Sequence, residues 1–377
     1  MSRSIYLYGL TVLLISVLAI FPIACSQTYT WSPISPSNTP TNNPTATSTS
    51  GPMVTTLAGS GSVGSTNAAG TAASFNFPLG VAVDSSGNLY VADNGNNLIR
   101  EINPGGVVFT LAGSGSPGST NATGTAASFN SPNGVAVDSF GNVYVADANN
   151  NLIREISSGA MVTTLAGQAP PAPHGAANGI GAAASFWDPT DIAVDTSGNV
   201  FVADGGNEMV REIGSGAVVS FLAGSGSTGS ANGTGAAASF NTPYGVATDS
   251  SGNVYVADQY NNMIRVVTPG GVVTTLAGQL TPGSTNATGT AASFNRPSGV
   301  AVDASGNVYV ADTLNNLIRK ITPGGVVTTL AGSGSYGSAN GPANMASFRY
   351  PASVAVDSSG NVYVADTYSN LIRKIAP

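Results

Sequence analysis

One repeated stretch decides the fold: residues 132–154 read Pro-Asn-Gly-Val-Ala-Val-Asp-Ser-Phe-Gly-Asn-Val-Tyr-Val-Ala-Asp-Ala-Asn-Asn-Asn-Leu-Ile-Arg. Six variants of it follow one another at intervals of 54 residues, with one interval of 57. Each copy has an Asp at the end of Val-Ala-Val-Asp or a close variant of it, a second Asp nine residues later and an Arg seven residues after that. So long and regular a period predicts a stacked or radial array of identical units. The three marker series are Asp84, Asp138, Asp195, Asp249, Asp303 and Asp357 (the Asp84 series), Asp93, Asp147, Asp204, Asp258, Asp312 and Asp366 (the Asp93 series), and Arg100, Arg154, Arg211, Arg265, Arg319 and Arg373 (the Arg100 series).

Each unit contains four short β-rich runs, which in the second unit are Val135–Val137, Val143–Ala146, Leu152–Ile156 and Val162–Leu165. Tight Gly-containing turns separate the first run from the second and the third from the fourth. The apolar residues are consecutive and do not alternate strictly, which is typical of strands covered on both faces. Six four-stranded antiparallel sheets, each packed between two neighbours, predict an all-β six-bladed propeller.

The two ends of the repeat region predict how the ring closes. The region begins with a lone fourth strand at residues 53–59 and stops after a third strand, Leu371 to Ile375. Together these fragments make one complete blade, so the first strand should pair with the last three. We therefore assign residues 53–377 to one closed propeller and not to an open solenoid, which would need capping repeats.

The repeats resemble NHL repeats, whose pattern is Pro-x-Gly-Val-Ala-Val-Asp, Gly-Asn-Val-Tyr-Val-Ala-Asp and Asn-x-Leu-Ile-Arg, and the resemblance covers all six units with minor variation. The resemblance implies the propeller fold of that family. It does not extend to the histidine of the family name, so roles that histidines play in enzymatic relatives are not implied here. The residues at the histidine position are Asn97, Asn151, Glu208, Asn262, Asn316 and Asn370.

The amino-terminal residues predict export. Residues 1–25 combine one basic residue with an apolar run and end at Cys25, which resembles a bacterial lipobox and marks Cys25 as a lipidation site. Pro22 stands where that motif has Leu, and a cleaved signal or an uncleaved anchor helix is the alternative. Residues 26–52 are rich in Ser, Thr, Asn and Pro and are expected to form a disordered tether. The protein is thus predicted to be extracytoplasmic, either membrane-anchored through its amino terminus or secreted.

The composition excludes several classes of protein. Charged residues make up 8% of the chain and its net charge is −7, so there is no basic face for nucleic acid. One Cys excludes a disulfide framework and a thiolate metal cage, and one His excludes a site built from several histidines. We expect no nucleic-acid partner and no required cofactor, although a divalent cation such as calcium is compatible with the carboxylates.

The repeated charges are expected to build the scaffold, because a ligand contacts the blades unequally. The Asp84 series should cap the hairpin that follows it; the alternative is a ring of six carboxylates that binds Ca²⁺. The Asp93 and Arg100 series should form ion pairs or bond the backbone. The phosphate-binding pattern that starts at Gly59 lacks the helix it needs, and His174 lies in a Pro-rich loop without a fixed catalytic partner.

Comparison of the copies separates two faces of the ring. The turns within the first and second hairpins are nearly invariant, whereas the second-to-third connections and the connections between blades diverge. Positions freed from geometric demands can carry recognition, so the divergent face is the predicted binding surface. Its aromatic and charged side chains suit a protein, peptide or glycan ligand. The candidate ligand-binding residues are Trp187, Asp188, Asp191, Tyr244, Tyr260, Arg296, Arg349, Tyr350 and Tyr368.

These features predict a monomeric, exported, non-catalytic propeller that acts as a binding module. The alternative follows from the resemblance to lactonases and lyases built on related propellers: a metal-dependent enzyme whose channel cation is held by Asp188, Asp191 or Glu208. A third hypothesis is a structural surface repeat without a specific ligand.

Overall fold

The computed structural model describes residues 51–169 and 174–377, which form six antiparallel β-sheets arranged as the blades of a propeller. The predicted signal segment, with Cys25, and all but the end of the predicted tether lie outside the described residues. Within the described ranges, no helix is long and apolar enough to cross a membrane. The predicted fold class is confirmed.

Each blade is a meander in which consecutive strands pair, and the first strands of neighbouring blades pack against each other around the central channel. The first strands begin at the Pro that precedes the Val-rich run, three residues earlier than the sequence predicts. The strands of blades 1 to 6 are Pro78–Val83, Leu89–Asp93, Leu98–Ile102 and Val108–Ala112; Pro132–Val137, Val143–Asp147, Leu152–Ile156 and Val162–Ala166; Pro189–Val194, Val200–Asp204, Met209–Gly214 and Val218–Ala223; Pro243–Thr248, Val254–Asp258, Met263–Val267 and Val272–Gly278; Pro297–Val302, Val308–Asp312, Leu317–Ile321 and Val327–Ala331; and Pro351–Val356, Val362–Asp366, Leu371–Ala376 and Met53–Ala58.

The ring closes as predicted, because Met53–Ala58 pairs with Leu371–Ala376 as the outer strand of blade 6. Val54, opposite Ile375 in this pairing, is fully buried. Three blades gain a short fifth strand at the outer edge, which the sequence did not predict. These two-residue strands are Gly179–Ile180 in blade 3, Gly233–Thr234 in blade 4 and Gly341–Pro342 in blade 6.

Short 3₁₀ helices occupy the connections. One such helix follows the second strand of each blade. Others occur in five of the long loops between blades and in one turn of blade 3. Their bounds are Asn94–Asn96, Ala148–Asn150, Gly205–Asn207, Gln259–Asn261, Thr313–Asn315 and Thr367–Ser369; Gly70–Ala72, Gly124–Ala126, Gly181–Ala183, Gly235–Ala237 and Gly289–Ala291; and Ser215–Ala217.

The hydrophobic core lies between blades. In one cluster, Val81 and Leu89 of blade 1 pack with Tyr363 and Ala365 of blade 6, and the other clusters are built in the same way. This arrangement explains why the apolar residues of each strand are consecutive: both faces of every sheet are covered. A fully buried phenylalanine precedes each blade at Phe75, Phe129, Phe186, Phe240, Phe294 and Phe348.

The Asp84 series caps its own hairpins, as predicted. The Asp84 Oδ1 atom accepts hydrogen bonds from the backbone N–H groups of Ser86 and Asn88, and Oδ2 accepts from the Asn88 side chain and the Tyr90 hydroxyl. Each carboxylate is therefore used inside its own turn, and the alternative of a six-carboxylate Ca²⁺ ring is not supported by this geometry.

The Asp93 and Arg100 series form six buried ion pairs, with nitrogen–oxygen distances of 2.6–2.9 Å and both side chains fully buried. The Arg100 guanidinium also donates to the carbonyls of Ser74 and Thr66 in the loop that enters the blade. It lies 5.3 Å from the centre of the Phe75 ring. One ion pair per blade thus joins two strands to the preceding loop and its buried phenylalanine.

The closure of the ring gives a first prediction. A chain that begins after Gly59 lacks one strand of blade 6 and exposes the core that Val54 covers. We expect its melting temperature to fall by at least about 10 °C relative to the parent, since each kcal/mol of stability corresponds to a few degrees. Thermal unfolding followed by circular dichroism measures this. A chain that begins at Gly51 keeps the strand and is the control; equal melting of both truncated chains would contradict the closure.

Candidate ligand-binding face

The two faces of the ring are chemically different. We call the face with the Asp84-type hairpins the turn face. The opposite face, called the variable face, carries the residue before the Pro that opens each blade and the residues that follow each second strand. It therefore holds the connections whose sequences diverge between copies.

The residue before each opening Pro has a left-handed backbone, with φ between 49° and 53°. Left-handed conformations are unfavourable for most residues other than Gly, Asn and Asp, and for bulky side chains they require support from outside. The side chains found here nevertheless differ in every blade. The six residues are Phe77, Ser131, Asp188, Thr242, Arg296 and Tyr350.

A hydrogen bond from the preceding blade supplies this support. The N–H of Ser131 donates to Oδ1 of Asn97, and the N–H of Phe77 donates to Oδ1 of Asn370, so the same bond also crosses the closure of the ring. In the five blades that use Asn the bonds measure 2.8–3.0 Å. We call the residues that accept these hydrogen bonds the latch residues: Asn97, Asn151, Glu208, Asn262, Asn316 and Asn370.

A second clamp acts on the residue just before. The Asp204 Oδ1 atom accepts a hydrogen bond from the N–H of Trp187, and Asp366 Oδ1 accepts one from the N–H of Arg349. The other Oδ atom of each of these carboxylates binds the buried arginine. Two consecutive residues per blade are thus fixed through their backbone alone, which leaves their side chains free to vary.

Glu208 is the one latch residue that is not Asn, and this gives a second prediction. It has a left-handed backbone at φ 57°, which Asn tolerates better than Glu, and burial raises the pKa of its carboxyl. Glu208→Asn should raise the free energy of unfolding by about 0.5–1 kcal/mol at pH 7, as substitutions toward a repeat consensus commonly do. Urea denaturation measures it. Asn151→Glu should have the opposite sign, Glu212→Gln controls for the lost charge, and a destabilised Glu208→Asn variant would refute the latch.

Four aromatic side chains form a continuous row on the variable face, from blade 1 across the closure into blade 6 and its loop. Their ring centroids are 4.8 Å apart for Phe77 and Tyr368, 4.9 Å for Tyr368 and Tyr350, and 5.3 Å for Tyr350 and Tyr336. All three contacts are edge-to-face. Arg349 extends the row, because its guanidinium lies 4.7 Å from the Tyr336 ring centre and its Nε donates to the Tyr336 hydroxyl. We call the four aromatic residues, without Arg349, the aromatic row: Phe77, Tyr368, Tyr350 and Tyr336.

Arg296 and Tyr260 form a separate pair at the seam of blades 4 and 5. The Arg296 guanidinium lies 4.5 Å from the centre of the Tyr260 ring, and both residues are exposed. Cation–π contacts of this kind hold an exposed guanidinium in place without neutralising its charge.

Trp187 is covered more than the sequence suggests. Its indole stacks on the imidazole of His174, with ring centroids 4.4 Å apart and planes 22° from parallel. The indole also lies close to Gly206, where a Cβ atom would be only 2.6 Å from the ring. His174 is exposed, as expected for its loop, but it has a partner that the sequence did not indicate. His174 and Trp187 occupy the same repeat positions as Tyr336 and Arg349.

The channel narrows to a neck at the third residue of each first strand. Four blades have Gly there and blade 6 has Ser353, whereas blade 3 has Asp191, whose Oδ2 accepts a hydrogen bond from the N–H of Val246 at 3.0 Å. Tyr244 reaches from blade 4 to blade 2, where its hydroxyl donates to Asn133 Oδ1 at 3.3 Å. The remaining space is about 10 Å³, roughly the size that one water requires. The neck therefore has no room for an organic ligand.

The carboxylates of the predicted cation site are not assembled into one. Glu208 uses its Oε2 atom to accept the N–H of Thr242, while Asp191 is bonded to Val246 in the neck. Asp188 is exposed on the variable face. Across residues 51–169 and 174–377, no three side chains of His, Cys, Asp or Glu converge as metal ligands would.

Asp191 gives a third prediction, on pH. Burial raises the pKa of its carboxyl from 3.8 to about 7. A folded-state pKa above the unfolded value means that its contribution to stability is present below pH 3.8 and is lost as the pH rises through 7. Asp191→Asn should therefore stabilise the protein by about 1–3 kcal/mol at pH 8 and change it little at pH 4.

Urea denaturation of both proteins at the two pH values measures this difference. Glu212→Gln is the matched control, because it removes a carboxylate from the third strand of the same blade. If the stabilities of the Asp191→Asn variant and the parent differ by the same amount at pH 4 and pH 8, the carboxyl does not titrate as stated.

The structure brings some of the predicted site residues together and separates others. Tyr350 and Tyr368 touch, and Arg349 adjoins them through Tyr336, which sequence reasoning missed along with Phe77. Both missed residues carry a signal in the repeat comparison. Tyr336 stands where the other copies have Val, Pro, His or Thr, and Phe77 is one of three bulky residues at a position that otherwise holds Ser, Asp or Thr. The roles of the predicted site residues in ligand binding stay predictions.

The repeated units match the profile of a known protein family. The family profile described as "NHL repeat" matches residues 75–102, 129–156, 186–210, 240–267, 294–321 and 348–375. The chain contains six NHL repeats. The matched segments begin at the buried phenylalanine, and in five blades they extend to the end of the third strand or to one residue before it. There they include the ion pair, the latch residue and the first three strands, whereas the segment of blade 3 ends at Val210, one residue before Arg211.

Curated relatives of this NHL propeller are larger proteins. It is 29% identical over 317 residues to the chloroplastic protein SUPPRESSOR OF QUENCHING 1 of Arabidopsis thaliana, covering 79% of this chain and 30% of that protein. It is also 29% identical over 335 residues to NHL repeat-containing protein 2 of Bos taurus, covering 79% of this chain and 46% of that protein. The chain thus spans less than half the length of these relatives.

Solved structures share the fold. A protein of unknown function from Bacteroides thetaiotaomicron superimposes with a TM-score of 0.66 at 21% identity, covering 86% of this chain and 76% of the other. An auxiliary nutrient binding protein from Bacteroides ovatus superimposes with a TM-score of 0.64 at 18% identity, covering 87% and 77%. At these identities the likeness concerns the NHL propeller fold alone.

Proposed function

We propose that this protein is an exported, surface- or membrane-anchored binding module that recognises a partner through its variable face and does no chemistry on it. The observation that carries the proposal is the aromatic row with Arg349 and the Arg296–Tyr260 pair: exposed aromatic and arginine side chains on one face. Tyr and Arg are enriched at the centres of binding interfaces.

The distribution of charged groups supports a binding role. Twelve of the 14 Asp residues and six of the 11 basic residues belong to the three marker series. The structure places these in hairpin caps and in fully buried ion pairs, where they serve the scaffold. Few acid–base groups remain on the surface, and those on the variable face other than Asp188 are joined to aromatic rings or to backbone N–H groups.

The entry point of the chain supports the proposed anchoring. Met53 pairs with Ala376 at the turn-face end of blade 6, and Pro52 lies in a groove with Gly360 and Pro377. The described chain therefore enters the propeller at the rim of the turn face, on the side opposite the variable face.

The comparisons are compatible with this role. One structural neighbour is described as an auxiliary nutrient binding protein, which is a binding function on the same fold. Because the sequence likeness to it is low, we infer no shared ligand. The partner that we propose is a protein, a peptide or a glycan.

A binding experiment gives the fourth prediction. Fluorescently labelled protein is applied to glycan and peptide arrays, and the affinity of the best hit is measured by fluorescence polarisation. The double variant Tyr350→Ala and Tyr368→Ala should bind at least about tenfold more weakly, because truncating a central interface tyrosine commonly costs about 2 kcal/mol or more.

Phe140→Ala is the matched control, since Phe140 is an aromatic residue on the turn face that is 83% exposed. It should bind as the parent does. Binding that is kept in the double tyrosine variant but lost in Phe140→Ala would place recognition on the turn face and contradict the proposal. If the protein binds nothing on either array, the hypothesis of a structural surface repeat without a specific ligand is favoured. Export is tested separately: Cys25→Ser should shift the protein from the membrane fraction to the soluble extracytoplasmic fraction.

A further inference from the structure

Charged residues outside the marker series are segregated around the ring. All the acidic ones belong to blades 1 to 3, all the basic ones in the described ranges belong to blades 5 and 6, and blade 4 has none. The sorting holds on the outer strands as well as on the variable face. The acidic residues are Glu101, Glu155, Asp188, Asp191, Glu208 and Glu212, and the basic residues are Arg296, Lys320, Arg349 and Lys374.

The result is a polarised disc. Including the marker series, residues 59–278 (blades 1 to 4) hold 14 acidic and four basic side chains, whereas residues 279–377 hold four acidic and six basic ones. The sector formed by blades 5 and 6 is therefore positive on a protein whose overall charge is negative. Such a local field attracts anions, and its strength falls as salt is added.

Two of the four arginines of this sector, Arg296 and Arg349, lie outside the marker series. Neither Arg296 nor Arg349 takes part in any of the six ion pairs found among the described residues. Each is instead held against a tyrosine ring, and both are exposed on the variable face. A planar guanidinium fixed in this way offers its remaining N–H donors in the geometry that a carboxylate accepts.

The aromatic row beside Arg349 favours a peptide over a flat sugar. Each edge-to-face contact places the edge of one ring against the face of its neighbour, which reduces the flat ring surface on which a sugar could stack. The backbones of Phe77 and Tyr350 are fixed by latch bonds. Rigid, amphipathic tyrosines bind protein segments at a low cost in conformational entropy.

We propose that the blade 5–6–1 sector of the variable face binds an acidic peptide segment of a partner protein. Carboxylates of the segment pair with Arg296 and Arg349, and its apolar side chains pack on the aromatic row. The inference rests on the proposed function and specifies the partner class of the same face.

Selection of a random peptide display library on the immobilised, full-length folded protein tests the partner class. Enriched peptides should carry Asp or Glu beside aromatic or aliphatic residues. A synthetic copy of the most enriched peptide, and a second copy with Gln and Asn in place of Glu and Asp, then serve as probes. The acidic copy should bind at least about tenfold more tightly than the neutral copy, as expected for the loss of charge-assisted hydrogen bonds, and its affinity should fall with added salt.

A matched pair of double variants locates the site. Arg296→Gln with Arg349→Gln should weaken the acidic peptide by about tenfold or more, since both removed donors contact carboxylates. Lys320→Gln with Lys374→Gln removes the same charge from the same two blades. These lysines also lie over tyrosine rings, at 5.3 and 5.7 Å from Tyr309 and Tyr363, whose hydroxyls bond the turn-face Asp residues. This control should change the affinity by less than about twofold, the range of a distant screened charge.

Each outcome decides the proposal. If the arginine and lysine variants lose equal affinity for the acidic peptide, overall charge and not contact with the variable-face arginines determines binding. This result would overturn the proposal. Enriched peptides without acidic residues would overturn it as well. Glycan binding that depends on Tyr350 and Tyr368 would keep the proposed function and overturn the acidic-peptide assignment, and nucleic-acid binding at the arginines would do the same. Melting temperatures of both double variants, expected to match the parent, exclude misfolding as the cause of a loss.

Discussion

The ring depends on one interaction repeated six times, the buried pair between the Asp93 and Arg100 series. Removing two charges from water is costly, and a buried pair is tolerated only when its remaining donors and acceptors are also bonded. Here the Asp93 carboxylate accepts bonds from Arg100, the Asn96 side chain and the Asn76 N–H, and the arginine also binds two loop carbonyls and Asn67. In each described arginine of the series only Nε lacks a partner. Burial nevertheless raises the pKa of these carboxyls, to about 6 at Asp204 and Asp366.

This pair has consequences at the variable face. Its carboxylate fixes one backbone N–H there, and the latch residue of the neighbouring blade fixes the next. Because both clamps act on the backbone, the left-handed residue can be Phe, Ser, Asp, Thr, Arg or Tyr without a change of fold. Repeat proteins need identical units to close a ring and unequal units to recognise a partner. Here both requirements are met because the hydrogen bonds act on the backbone. The residues that accept these bonds are repeated, and the residues whose N–H groups donate them vary in their side chains.

Much of the scaffold could be predicted from the sequence, because its interactions lie within one repeat. The hairpin cap at Asp84 spans four residues and the Asp93–Arg100 pair spans seven, so their spacing alone indicated contact. The binding face could be predicted only in outline. Divergence between copies selected one side of the ring, but it grouped Tyr244, which lies in the channel neck, with Tyr350 and Tyr368, which belong to the aromatic row. It also left out Phe77 and Tyr336.

The sequence by itself determined the number of blades, the closure from both termini and the face on which variation is allowed, since period, turn chemistry and marker spacing are local properties. Tertiary structure alone decided which variable side chains meet. Phe77 touches Tyr368, and its N–H binds Asn370 across 293 residues of chain, only because the closed ring makes blades 1 and 6 neighbours. The direction of each variable side chain follows from a left-handed backbone that the preceding blade holds in place. Neither the meeting of these side chains nor their direction could be predicted from the spacing of residues, because both depend on contacts between repeat units.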